Sequence, residues 1–133
     1  DNALTFYKFS KTPEIIYEEL DLDWEIQSLE INKNYVLAVV RDQEGENNYR
    51  AKVFNTSGKT VADIGFDFAY SHAILAGTDI MLYSSNACHI YSFEGVHRLS
   101  YSFSERIEAM LCCGSSDTYI YAYLGNAEFI KFR

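Results

Sequence analysis

The turns of this chain recur at a near-constant interval, and that interval limits the folds open to it. Gly58 and Gly95 each follow an aromatic strand end, Val53-Phe54 and Ser92-Phe93, and stand 37 residues apart. Gly77 and Gly114 are also 37 apart, whereas Asn32 precedes Gly77 by 45. The longer interval is expected to come from the polar loop Arg41 to Asn48, which the next unit shortens to Ser84 to Ala87. Each turn has a mechanism: Gly reaches positive φ, while Asn, Asp and Ser hydrogen-bond their own backbone. Between turns lie runs of about five to eight residues, the usual strand length. Four short antiparallel strands in about forty residues are the sequence pattern of a β-propeller blade.

Residue type and periodicity agree. Eleven Tyr, nine Phe and one Trp, with abundant Ile and Val, suit pleated, half-buried surfaces. From Arg98 to Phe103, Leu99, Tyr101 and Phe103 are expected on one face and Arg98, Ser100 and Ser102 on the other. Only Glu14 to Leu20 could be helical, and its Ile15-Ile16-Tyr17 cluster suits a strand as well. The chain reads as all-β and propeller-like, a single region of four pieces. Residues 24–67 form one blade, with strands near Ile26–Ile31, Tyr35–Val40, Tyr49–Phe54 and Val61–Ile64. Residues 68–105 form a second blade. Residues 106–133 form an incomplete one, with strands near Ile107–Cys113, Tyr119–Leu124 and Glu128–Phe132. Residues 1–23 resemble the last two strands of a preceding blade, turning at Ser10 to Pro13. A β-sandwich also has regularly spaced short strands, but units that repeat in order with matching turns favour the propeller. No Trp-Asp dipeptide or Gly-His pair supports a WD40 propeller.

At about forty residues per blade the 133 residues make roughly 3.3 blades, and propellers have about four to eight. The expectation is part of a larger ring. Its unpaired edges would be completed by missing sequence, by the N-terminal strands or by a second copy, which makes a homo-oligomer the expected state.

Charge narrows the partners. Nineteen acidic against eleven basic residues leave a net charge of −8, and such a surface repels phosphate, so nucleic acid and anionic membrane are not expected partners. No apolar run is long enough to cross a bilayer.

Few motifs carry chemistry. Cys88, Cys112 and Cys113 show no zinc spacing, and the adjacent pair points to opposite strand faces. They read as buried apolar residues, with a Cys88 disulfide as the alternative in an oxidising compartment. His72, His89 and His97 lack metal-binding spacing, and His89 reads as a core or interface residue. The acidic series Glu14, Glu18, Glu19, Asp21, Asp23 and Glu25 reads as a solvated rim. Asp42-Gln43-Glu44-Gly45-Glu46 only faintly resembles a calcium loop. Asn55-Thr56-Ser57 matches a glycosylation sequon within a tight turn. The stripe Tyr119, Tyr121 and Tyr123 could line a carbohydrate or peptide groove but is expected to pack between blades. Catalytic, cofactor and metal residues are therefore expected to be none, and binding residues are not identified.

The runs Gly65-Phe66-Asp67-Phe68-Ala69-Tyr70, Asp79-Ile80-Met81-Leu82-Tyr83, Cys88-His89-Ile90-Tyr91-Ser92-Phe93-Glu94-Gly95-Val96 and Glu128-Phe129-Ile130-Lys131-Phe132-Arg133 resemble the C-terminal part of an uncharacterised family, a domain of unknown function in clostridia-like Gram-positive bacteria. The resemblance implies a membrane-anchored precursor with an extracytoplasmic, propeller-like region. It brings no catalytic or binding residues. The expected function is a non-enzymatic binding or scaffold module that contacts a protein or cell-envelope component. The alternatives are a hydrolase with its site in a propeller channel and a purely structural assembly platform.

Overall fold

The computed structural model describes residues 3–8, 14–21, 25–42, 45, 47–113 and 118–132, and every regular element among them is a strand. The chain divides into two compact units, Asp1–Phe68 and Ala69–Arg133. In the first, β1 (Ala3–Lys8) and β2 (Glu14–Asp21) form an antiparallel hairpin, so the segment open to either helix or strand is a strand. β3 (Ile26–Ile31), β4 (Tyr35–Arg41), β5 (Tyr49–Asn55) and β6 (Thr60–Phe66) follow as a four-stranded meander in chain order. In the second unit β7 (His72–Ala76), β8 (Asp79–Tyr83), β9 (Ala87–Ser92) and β10 (His97–Ser102) repeat that meander. β11 (Ala109–Cys112), β12 (Thr118–Tyr123) and β13 (Asn126–Lys131) form a three-stranded sheet. Each described strand pairs with its chain neighbour and no connection crosses a sheet, unlike the Greek keys of a sandwich. Gly114 and the turn at Ser10 to Pro13 lie outside the described residues.

The 37-residue interval is a repeated backbone structure. In the first meander the Asn55 N–H donates to Lys59 O at 2.9 Å and the Gly58 N–H donates to Asn55 O at 3.0 Å. In the second, Ser92 donates to Val96 O at 2.9 Å and Gly95 to Ser92 O at 3.0 Å. Gly58 and Gly95 hold φ values of 80° and 86°, which closes a three-residue hairpin loop at little steric cost. Just beyond each loop the last strand carries one extra residue, Val61 in β6 and Arg98 in β10. The turn and the bulge thus recur together.

The longer first interval has two sources. The β4–β5 ladder has seven paired positions against five for β8–β9, so longer strands share the difference with the longer loop.

Burial follows the ladders. In β4, Leu37, Ala38, Val39 and Val40 are all fully buried, so both faces of this central strand are covered. In the second unit one sheet face packs on the other through Ala76, Met81, Tyr83, Cys88 and Ile90 against Ile107, Met110 and Tyr119. Asp79 lies two residues before Met81 on that face and is 3% exposed. Its carboxylate accepts a hydrogen bond from Arg98 Nη1 at 2.5 Å. The bulge makes this contact possible, because it turns Arg98 to the face of Leu99. That corrects the simple alternation, which places Arg98 opposite Leu99.

Arg98→Met should lower the unfolding free energy by about 1–3 kcal/mol, because it leaves a buried carboxylate without its charged donor. Arg41→Met should cost about 0–1 kcal/mol, because its pair with Glu25 is exposed on both sides and 4.0 Å long. Urea unfolding of the two variants checks this, and equal losses would contradict it.

Candidate functional site

The outer face of the β9–β10 hairpin gathers two imidazoles and a hydroxyl. Ser100 lies directly opposite His89, and His97 opposite Tyr91. In an unbroken strand His97 and Ser100, three residues apart, would face opposite ways. The extra residue at Arg98 returns them to one face. Ser100 Oγ lies 3.0 Å from His89 Nδ1 and 3.0 Å from His97 Nε2, and the two nitrogens are 3.4 Å apart. The Tyr91 ring stacks on His97 at 4.6 Å and fixes its plane. Burial, and then the charge of His97, hold His89 below its ordinary pKa.

Sequence spacing missed this group because the histidines are eight residues apart. The available signal was their position on opposite sides of the Glu94-Gly95 turn. In the preceding repeat the same register holds Lys52 opposite Asp63, 3.9 Å apart as an ion pair. Hairpin geometry therefore does not require histidines here.

A second group lines a cleft between the two sheets of this unit. The tyrosine stripe of β12 is not uniform. Tyr119 is fully buried in the core, as packing predicts, whereas Tyr121 and Tyr123 open onto a cavity of about 190 Å³ with Tyr101, Phe103, Ser104, Glu105 and Glu128. Tyr121 and Phe103 rings stand 5.2 Å apart, and Tyr121 stacks with Tyr123 at 5.6 Å. Both phenols donate to the Glu128 carboxylate, at 2.7 and 2.9 Å. Those bonds hold Glu128 below its ordinary pKa. The bond to Glu128, with burial second, pushes Tyr121 up to about 12. None of the seven lining residues is basic. The cleft combines aromatic faces with two carboxylates, the chemistry that receives a cation.

The remaining residues singled out in the sequence have local duties. Cys88 is fully buried, and burial pushes its thiol up to about 12 against a smaller lowering by a hydrogen bond with the Tyr101 backbone, so the nucleophilic thiolate is suppressed. Cys112 and Cys113 are half-buried, and all three cysteines are unbridged. His72 is exposed, with its ring 5.3 Å from that of Tyr83. Asn55 Oδ1 accepts from the Ser57 and Lys59 N–H groups, so the sequon asparagine is the cap of its turn. Gln43, Glu44 and Glu46 lie outside the described residues. Asp42 is buried, accepts from the Gly45 N–H at 2.6 Å and faces Arg50 Nη1 at 3.6 Å. It acts there as an internal brace of the loop. Asp23 lies outside the described residues, and Glu25 is exposed beside Arg41.

The raised Tyr121 pKa gives a signed pH dependence. The folded state favours the protonated phenol, so its stabilising contribution is whole below pH 10 and is lost as pH rises through about 12. Glu128→Gln should lower two tyrosine midpoints, those of Tyr121 and Tyr123, back toward the ordinary phenol value in a phenolate absorbance titration. An unchanged titration would contradict the hydrogen-bonded triad.

Comparison with solved structures supports the fold reading. The CNH domain of AfRom2, a propeller-like domain, matches 91% of this chain at a TM-score of 0.50 and 14% identity. The match covers 41% of that chain, so this chain spans less than half of its neighbour. The likeness is one of fold: propeller-like antiparallel sheets. Comparison with curated protein sequences finds no match. The family model described as "Family of unknown function (DUF5711)" matches residues 1–132, and the chain belongs to that family.

Proposed function

We propose that this chain is a non-enzymatic, extracytoplasmic binding module that takes a basic side chain of a protein partner into the tyrosine cleft. The observation that carries the reading is the Tyr121–Glu128–Tyr123 triad. Two phenols fix a carboxylate at the mouth of an aromatic cleft, with Glu105 beside it. A net charge of −8 adds long-range attraction for a basic partner. The extracytoplasmic setting rests on the resemblance to membrane-anchored relatives. No helix of the described residues is long and apolar enough to cross a membrane.

A lysine- and arginine-rich peptide and its glutamate counterpart, titrated calorimetrically, test this reading. The basic peptide should bind, and more weakly as salt rises. Tyr123→Ala and Glu128→Gln should each weaken it about two- to fivefold, the size of one exposed cation–π contact and of one exposed ion pair respectively. Equal binding of both peptides would contradict the proposal, as would serine-dependent ester hydrolysis lost on Ser100→Ala.

A second reading, assembly with another copy, is favoured by the outer face of the three-stranded sheet. Leu111 and Phe129 flank Ile120 there and are 65% and 74% exposed. The opposite face of this sheet already packs on a neighbouring sheet, so a further blade from a second copy would extend the same stack. Light scattering should then show a dimer that Phe129→Glu converts to monomer; a monomeric parent chain would contradict it.

A further inference from the structure

The imidazole pair on the β9–β10 hairpin has the spacing of a metal chelate. His89 Nδ1 and His97 Nε2 are 3.4 Å apart. Two imidazole nitrogens bound to one tetrahedral ion at about 2.0–2.1 Å stand about 3.3–3.4 Å from each other. A hydrogen bond from N–H is at its best nearer about 2.9–3.0 Å. We propose that His89 and His97 form an open two-histidine site for a divalent transition metal, Cu²⁺, Ni²⁺ or Zn²⁺, with the Ser100 hydroxyl and water in the remaining positions.

Three further features support this. The rings are held before any ion arrives, because Tyr91 stacks on His97 and the bulge at Arg98 fixes both histidines on one face. His97 and Ser100 are exposed, so an ion can reach the pair from solvent. The net charge of −8 raises the local concentration of cations. The corresponding position of the preceding repeat holds Lys52 and Asp63, an arrangement that completes a sheet face without imidazole. Among the described residues no group of three or more His, Cys, Asp or Glu is placed to hold a metal ion. The site is therefore exchangeable, with its outer positions left to the hydroxyl and solvent. Imidazole ligands suit Cu, Ni and Zn; intrinsic affinity favours Cu²⁺, whereas the tetrahedral spacing of this pair favours Zn²⁺ over the square-planar or tetragonal Cu²⁺ and Ni²⁺.

The test is a titration of the chain with Cu²⁺, Ni²⁺ and Zn²⁺ by calorimetry, with imidazole resonances followed by NMR for Zn²⁺. One ion per chain should bind, and the perturbed rings should be those of His89 and His97 and not His72. His89→Gln and His97→Gln should each weaken binding by at least about tenfold, the lower end of what loss of a supporting group at a metal site costs. His72→Gln should leave it unchanged. Ser100→Ala should retain binding, which separates metal chelation from a pair that merely shares a hydroxyl. Circular dichroism of each variant verifies that the sheets are intact. No saturable binding, or binding unaffected by loss of either His89 or His97 in a folded variant, would overturn the proposal.

Discussion

A strand covered on both faces can satisfy its backbone polar groups only sideways, through the strands at its edges. β4 and β8 are in that position. Leu37 to Val40 are fully buried, and every residue from Asp79 to Tyr83 is buried. Each strand therefore needs an antiparallel neighbour on both sides, and short turns supply them as a meander in chain order. The hairpins that close the two meanders are built alike, down to the loop hydrogen bonds and the single extra residue beyond the loop. What differs between them is the side chains that this shared backbone presents.

In the second meander the extra residue does two things at once. It sends Arg98 inward to the carboxylate of Asp79, a buried charge that is costly without a partner. It also brings His97 round to the face of Ser100 and His89. The polar group outside and the ion pair inside are consequences of one local change in register. The tyrosine cleft depends on the same sheet, since Tyr101 and Phe103 follow the bulge and meet the rings of β12.

Much of the architecture was legible in the sequence because turn chemistry and strand alternation are local. The β3 limits at Ile26 and Ile31 match the expected ones, and the three strands of the last sheet lie within one or two residues of theirs. The extra residue was not legible. Arg98 sits in a clean alternation, and only the pairing with β9 shows that it has no opposite number. The His89–His97 pair was hidden for the same reason, since spacing rules follow one strand and this pair crosses two. The tyrosine stripe shows a third limit. Alternation puts Tyr119, Tyr121 and Tyr123 on one face, but whether that face is core or cleft depends on how far the opposing sheet extends.

The central claim is that one extra residue in β10 sets which side chains face outward. Proton–proton nuclear Overhauser effects in the unmodified chain test it most directly. The account predicts contacts from Ser100 to both His89 and His97, and contacts from the His97 ring to Tyr91. A regular ladder, with Ser100 near His89 but His97 contacting residues of the opposite sheet face, would contradict it.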